Sequence, residues 1–267
     1  MPARLPPAAA EHHQMTAERR RYYLEAMDIQ LWQLRCAPDE TEFVRQCTDD
    51  AVEHGVLDVS LEPRELVAEP DIVDDTKVET QQDVSKFDWA QLEQKVAECR
   101  LCELYKTRIQ TVFGVGNRQA ALMIVGEAPG GEEDKQGEPF VGPAGQLLNA
   151  MLKAIDVERE QVYIANVVKC RPPNNRNPRS EEAEACDPYL RGQIELVQPR
   201  LLLALGRVAA QHLLKSQDSL ASLRGRLHSF SGIPLRITYH PAYLLRTPLD
   251  KRKAWEDLQQ VRRFLES

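Results

Sequence analysis

The sequence of 267 residues has no apolar run close to the roughly 20 residues that a membrane-spanning helix needs. No apolar core of a signal peptide follows the proline- and alanine-rich residues 1–10. Six cysteines are too few for a disulfide scaffold in a chain of this length. These absences argue against an integral membrane protein and against a small disulfide-stabilised secreted protein. They predict a cytoplasmic protein of bacterial type.

Charge is distributed unevenly along the chain. Residues 1–86 carry 9 Lys and Arg against 19 Asp and Glu, a net charge of −10 within a chain total of −7. Residues 87–267 carry 25 against 22, a net charge of +3. Such asymmetry is compatible with a nucleic-acid-binding domain that carries an acidic appendage. We therefore predict an acidic N-terminal extension over residues 1–86 and a folded domain over residues 87–267.

The extension contains one helical pattern, over about residues 16–35, where aromatic and aliphatic side chains recur among charged ones. Pro38 should end this helix. The residues that follow are acidic and poor in large apolar side chains, which predicts a linker. The helix has two interpretations: it packs on its own domain, or it docks a partner such as a repair or replication protein.

From Phe87 onwards, strand-like apolar runs alternate with helical patterns. The strand-like runs are 121–125, 162–168, 201–205 and 235–238. The helical patterns cover 88–104, 143–155, 180–197, 206–214 and about 250–265, with Pro143 in a first turn and Ser180 as an N-cap. This alternation predicts an α/β fold, a three-layer α/β/α domain with a central, mostly parallel four-stranded sheet.

Three polar segments follow predicted strands. They are the loop 126–131, the strand end at Asn166 and the stretch 239–246 with His240. Binding sites of such sheets gather at the carboxyl ends of the strands, so we expect the three segments to meet at one edge.

Four of the cysteines form a set with the spacing of a metal site. They are Cys99, Cys102, Cys170 and Cys186. Four thiolates suit either a tetrahedral zinc ion or a [4Fe–4S] cluster, and the spacing alone does not choose between them. Ordinary unliganded thiols are the third interpretation.

The last two of these cysteines bracket a loop rich in arginine and proline. Its arginines, Arg171, Arg176 and Arg179, are candidates for contacts with phosphate groups. A cysteine-bound site at both ends would make this loop rigid. Solvated surface charge is the alternative interpretation of each arginine.

Residues 89–264 resemble the family 4 uracil-DNA glycosylases, the iron–sulfur branch of that superfamily. The motifs that carry the resemblance are the Cys99 and Cys102 pair, Gly126–Gly130, Gly137–Gly145, Asn166–Pro173, Cys186 and His240–Arg246. The one small departure is Gly131, where many members carry a glutamate. The resemblance implies a structural [4Fe–4S] cluster on the four cysteines and uracil-containing DNA, single- or double-stranded, as the substrate of a monomer.

The resemblance also implies a role for each residue around the base. It places Phe140 under a flipped-out uracil as a stacking face, Asn166 on the polar edge of the base and Glu133 near its C5. An asparagine amide can donate to O4 and accept from N3–H of uracil. Cytosine reverses both groups, and this mismatch would exclude cytosine.

Further roles concern the bond that breaks and the DNA around it. The resemblance places His240 near O2 of uracil, and Glu127 with the Ala128 backbone beside the sugar and the attacking water. It makes Leu244 or Leu245 a wedge that fills the vacated base stack, with Arg246 available to a phosphate.

These roles predict a monofunctional glycosylase that hydrolyses the N-glycosidic bond and leaves an abasic site. A lyase route would need an amine at the sugar, and Lys169, the only lysine in these motifs, has no such role in the family. The alternative functions are a catalytically decayed iron–sulfur nucleic-acid-binding module and a zinc-stabilised hydrolase.

Overall fold

The computed structural model describes residue 25 and residues 87–267. The predicted N-terminal helix and acidic linker lie outside the described residues, apart from Glu25, which is helical. Within the described part of the chain, no helix is both long enough and apolar enough to cross a bilayer.

The centre of the domain is a twisted sheet in the order β1-β3-β2-β4-β6-β5. Its strands are β1 (Val115–Gly116), β2 (Leu122–Gly126), β3 (Tyr163–Asn166), β4 (Leu201–Leu205), β5 (His228–Phe230) and β6 (Ile233–Thr238). The four strands β3, β2, β4 and β6 pair in parallel, as the sequence predicts. The predicted strand count was too low, because β1 and β5 add antiparallel edges. With two and three residues, these edges are too short to produce a recognisable alternation of apolar side chains.

The helices connect these strands. They are α1 (Trp89–Glu98), α2 (Gly131–Gln136), α3 (Pro143–Lys153), α4 (Ser180–Val197), α5 (Gly206–Leu214), α6 (Leu220–Leu223), α7 (Pro241–Arg246) and α8 (Lys251–Glu266). The helix expected over 88–104 ends early because Cys99 is extended, and a separate 3₁₀ turn follows at Glu103–Lys106. Ser180 is the first helical residue rather than the N-cap; Glu182 instead accepts a hydrogen bond from the Arg179 backbone at 2.8 Å.

Two apolar cores lie on opposite faces of the sheet, which confirms the three-layer α/β/α architecture. Alternate residues of β2 divide between them: Met123 and Val125 belong to one core, Leu122 and Ile124 to the other. The first core is closed by α1, α4 and α5, and the second by α3 and α8. Both faces of β2, β3 and β4 are thereby buried, and Asn166 is at the carboxyl end of β3, whereas β6 carries a charged residue, Arg236, within the strand.

Candidate active site

The carboxyl edge of the sheet brings the predicted segments together. Gly126 and Asn166 are paired at the ends of β2 and β3. Val167 and Val168 continue this pairing by donating to the carbonyls of Gly126 and Glu127 at 2.9 and 3.2 Å. The expected meeting of the first two segments is therefore observed.

Gly126 makes this meeting possible through its missing side chain. A Cβ at Gly126 would lie 2.7 Å from the ring of Phe140 and still closer to the side-chain oxygen of Asn166. Any larger residue would push these two side chains apart. The glycine therefore brings an aromatic face and an amide edge to the same point.

Asn166 is the buried polar residue of the site. Only 1% of its surface is exposed. Its Oδ1 is buried and accepts no hydrogen bond within the described part of the protein. An unsatisfied buried acceptor costs about 1–3 kcal/mol, so this oxygen is suited to a donor that arrives with a ligand.

Phe140 forms the floor of the site and is held in an unusual backbone conformation. Its φ of 56° lies in the left-handed region, which costs a bulky residue about 1–3 kcal/mol. Gly145 accommodates this turn, because a Cβ there would collide with the Phe140 carbonyl. The Phe140 ring centroid lies 5.6 Å from that of His240, with the two planes tilted by 32°.

Glu133 fixes the loop that carries Phe140. One carboxylate oxygen accepts from the backbone N–H groups of Val141 and Gly142, both at 3.1 Å, and the other from Gly130, also at 3.1 Å. These contacts give Glu133 a structural role that the sequence did not predict. Its expected place near C5 of a base stays a prediction.

His240 caps the N-terminus of α7. Its Nδ1 accepts from the backbone N–H of Ala242 at 3.2 Å. Burial, assisted by the charge of Arg246 and opposed by Glu133, lowers the pKa of His240 from 6.5 to about 4. The ring is therefore neutral near pH 7, and because Nδ1 is an acceptor, its proton is on Nε2.

Two contacts fix the position of His240. Gly206, at φ 85°, opens α5 directly behind it, and a Cβ there would lie 2.8 Å from the His240 Cβ. Two residues earlier, the Thr238 hydroxyl donates to the buried carboxylate of Asp257 at 2.9 Å, and Arg224 binds the same carboxylate through two nitrogens at 3.0 Å. The end of β6 is thereby anchored to α8.

Glu127 and Ala128 follow β2 at the same edge. Glu127 is half-buried, and this burial raises its pKa while the nearby Arg207 lowers it. Ala128 is partly buried and packs against the first core. A carboxylate at the edge of an enclosed site acts strongly on nearby positive charge because the surroundings screen it poorly.

The two leucines of the predicted wedge differ in accessibility. Leu244 is completely buried in the second core, so the expectation that it enters DNA is corrected. Leu245 is 45% exposed, and Arg246 is exposed beside it.

Sequence reasoning missed Leu249, which is 91% exposed. It lies in the 3₁₀ turn Pro248–Asp250. The Tyr243 hydroxyl donates to Asp250 at 2.6 Å, which ties this turn to α7. The sequence feature that could have indicated an exposed leucine is its position directly after a proline in a polar turn.

The three loop arginines have different surroundings. Arg176 makes a bidentate pair with Glu182, at 2.8 and 2.6 Å, so its guanidinium is committed within the protein rather than free for phosphate. Arg171 donates to Asn175 at 2.7 Å and packs against Gly131, while Arg179 is exposed. Arg171 and Arg179 remain the candidates for DNA contacts.

The four predicted metal ligands line one cavity. Cys170 and Cys186 are buried, and Cys99 and Cys102 are partly buried. Burial raises the pKa of Cys186 to about 12 and also raises those of Cys102 and Cys170. Arg108 donates to the Cys170 sulfur at 2.9 Å. Within the described residues, no three His, Cys, Asp or Glu side chains are grouped closely enough to hold a single metal ion.

Comparison with known proteins identifies the family to which the chain belongs. The family model of the uracil DNA glycosylase superfamily matches residues 113–259. The chain is 42% identical to a type-4 uracil-DNA glycosylase of Archaeoglobus fulgidus, an alignment that covers 62% of this chain and 88% of the relative. It is 44% identical to the type-4 enzyme of Pyrobaculum aerophilum (64% and 92% covered) and 42% identical to that of Thermotoga maritima (64% and 92% covered). The chain therefore belongs to the type-4 uracil-DNA glycosylases of the uracil DNA glycosylase superfamily.

Proposed function

We propose that this chain excises uracil from DNA by hydrolysing the N-glycosidic bond of a flipped-out deoxyuridine. The observation that carries the proposal is the buried, unsatisfied Asn166 Oδ1 beside the Phe140 ring at Gly126. Together they form a slot with an aromatic face and a polar edge, which are the two requirements for binding one nucleobase.

Phe140 stacks on the base. Extrusion of a nucleotide from a duplex costs a few kcal/mol. Stacking on an aromatic ring contributes about 1–3 kcal/mol per base, which offsets much of that cost. Because hydrogen bonds from Val141 and Gly142 to the Glu133 carboxylate already fix the loop that carries Phe140, the phenyl ring does not have to be ordered when the base binds.

Asn166 selects uracil. Its free Oδ1 accepts from N3–H, and its amide NH₂ donates to O4. Cytosine presents an acceptor at N3 and an amine at C4, so both contacts would be lost at about 1–3 kcal/mol each.

His240 stabilises the leaving base. Bond cleavage places negative charge on O2 of uracil, and the His240 Nε2–H is the donor available for it. A neutral imidazole fits this task, because its Nδ1 is already occupied by the Ala242 N–H. A donor aimed at developing charge usually provides the largest catalytic contribution of a single group.

Glu127 acts on the sugar side. As the bond breaks, the sugar becomes cationic, and a carboxylate there offsets this charge or orients the attacking water beside the Ala128 backbone. Lys169 is 1% exposed, and its Nζ is bound to the Asn166 carbonyl and to Gln193, so it cannot attack the sugar. This placement supports hydrolysis without a lyase step.

DNA contacts follow from the exposed residues around the slot. Leu245 in α7 and Leu249 in the turn after it are exposed apolar side chains suited to fill the vacated stack, and the exposed Arg246 is available to a phosphate. Arg171 and Arg179 extend this positive surface.

The cysteine site suits a [4Fe–4S] cluster with a structural role. The four cysteines line one cavity, and a [4Fe–4S] cluster binds one thiolate at each of its four irons. The preference over zinc comes from the similarity to the iron–sulfur branch of the family. Bound there, the cluster would link α1, the 170–179 loop and α4.

The test is a uracil-release assay on single- and double-stranded oligonucleotides. It compares the full-length chain, purified with its iron, with a chain that starts near Ser85. We expect alkali-labile sites at uracil with both proteins, since we assign catalysis to residues 87–267. Tight binding without release would support the decayed binding module instead. A colourless, zinc-containing protein would contradict the cluster.

A further inference from the structure

A buried lysine lies between the base site and the cysteine site. Lys169 is 1% exposed, follows Asn166 by three residues and directly precedes Cys170. Its side-chain hydrogen bonds are made to Asn166 and Gln193, neither of which is charged. Burial of an ammonium is costly, and this cost is offset by the two hydrogen bonds and by the sulfurs of Cys170 and Cys186 when these are ionised.

The ammonium binds the main chain of the residue that we assign to uracil recognition. Lys169 Nζ donates to the Asn166 carbonyl at 2.8 Å. On the other side of the same peptide group, the Val167 N–H donates to the Gly126 carbonyl at 2.9 Å. Both polar atoms of the peptide are therefore held, which fixes the ψ angle of Asn166 and the direction in which its side chain leaves the strand.

The lysine is itself held from several directions. Its Nζ donates to Gln193 Oε1 at 2.6 Å, and the Gln193 amide donates to the Phe113 carbonyl at 2.8 Å and to the Tyr163 hydroxyl at 3.2 Å. In the backbone, the Lys169 N–H donates to the Cys186 sulfur at 3.3 Å, and its carbonyl accepts from Val112 at 2.8 Å. The position of the ammonium is thus determined by the fold.

From these contacts we infer that Lys169 is a positioning residue for uracil recognition, which holds the Asn166 amide at the angle needed to read the base edge. This inference rests on the proposed function of Asn166. Lys169 is thereby hydrogen-bonded both to the Cys186 sulfur and to the Asn166 carbonyl.

The test is the isosteric, uncharged variant Lys169→Met. We expect its single-turnover rate of uracil release to fall and its inhibition constant for free uracil to rise, each roughly tenfold, the equivalent of about one hydrogen bond. Affinity for DNA with an abasic-site analogue, iron content and far-UV circular dichroism should match those of wild type. If Lys169 only stabilised the fold, its replacement would weaken binding of uracil and binding of DNA together.

Two further variants make the outcome specific. Gln193→Met removes the hydrogen bond from Lys169 Nζ to Gln193 without altering a residue next to the cysteines. We expect it to slow uracil release and weaken binding of free uracil, but by less than Lys169→Met does. Tyr163→Phe removes a hydroxyl from the same network, leaves both Lys169 hydrogen bonds in place and should behave as wild type. Unchanged uracil affinity in Lys169→Met, or a loss that follows loss of iron, overturns the inference. Absence of uracil release by wild type would instead refute the proposed function.

Discussion

The rings of Phe140 and His240 lie with their centroids 5.6 Å apart, although they come from opposite sides of the sheet centre. Phe140 belongs to the loop before α3, which follows β2, and His240 follows β6. The strand β4 separates β2 from β6 in the sheet. A base stacked on Phe140 therefore lies within reach of the histidine, and the first prediction concerns that donor.

His240→Ala should retain DNA binding but slow base release by about 10²–10³, as expected when one donor to a developing charge is lost. Single-turnover kinetics with excess enzyme measure the chemical step directly. A rate equal to that of wild type would contradict the role of His240.

The pH dependence should show no histidine inflection near 6.5. Because the pKa of His240 is lowered to about 4, the ring stays neutral between pH 6 and 8, and the rate of base release should be flat there. The unfolded chain binds a proton at His240 below pH 6.5 while the folded chain does not, so stability should decline as the pH falls from 6.5 towards 4. Rate measurements and thermal unfolding across this window check both statements. An inflection near 6.5 that disappears in His240→Ala would contradict them.

Gly126→Ala should abolish uracil release without unfolding the protein. The added methyl group would displace the Phe140 ring or the Asn166 amide, and either shift closes the slot. Gly142→Ala is the matched control in the neighbouring loop. A Cβ there would lie at an ordinary contact distance of 3.5 Å from Glu133, and the backbone N–H of residue 142 would still donate to the Glu133 carboxylate. Equal activity of the two variants would argue against the slot.

Asn166→Leu should separate function from stability. Leucine has the same branched shape and no orphaned oxygen but bulkier methyl groups, so the gain from removing the unsatisfied acceptor offsets the cost of tighter packing and the unfolding temperature should stay close to that of wild type. Uracil release should fall by at least about tenfold, since two hydrogen bonds to the base are lost. Thermal unfolding and single-turnover assays on the same preparation provide the comparison. A loss of stability well above the roughly 1–3 kcal/mol of overpacking would mean that Oδ1 has a partner in the free protein.

Leu249→Ala should slow uracil release from duplex DNA more than from single strands, because only a duplex has a stack to refill. The exposed Leu245→Ala should behave in the same way. Leu244→Ala should instead lower thermal stability, since Leu244 is fully buried and truncation leaves a cavity. Equal effects of Leu249→Ala on both substrates would remove it from the DNA-facing surface.

The four central strands could be predicted because each is a continuous apolar run. The convergence of their carboxyl ends could be predicted because a helical pattern between successive strands indicates that the strands are parallel. The segments around Gly126 and Asn166 met as expected for this reason. The edge strands β1 and β5 escaped prediction, since two or three residues contain no periodicity.

Side-chain direction was harder to predict than position along the chain. Leu244 and Leu245 are adjacent in α7, yet one enters the core and the other faces solvent, a difference that depends on how the helix packs against α3. The sequence predicted that Arg176 contacts phosphate, whereas in the structure its guanidinium pairs with Glu182. The link from Lys169 to Asn166 depends on a glutamine from α4, which no local pattern indicates.

The most direct test of the central claim, that Asn166 Oδ1 accepts from N3–H of uracil, uses two single-stranded oligonucleotides. One carries deoxyuridine and the other 3-methyldeoxyuridine, which lacks that hydrogen and places a methyl group against the oxygen. Single strands remove any difference in base pairing. Release of uracil without detectable release of 3-methyluracil is the predicted result, and equal single-turnover rates on the two would contradict it.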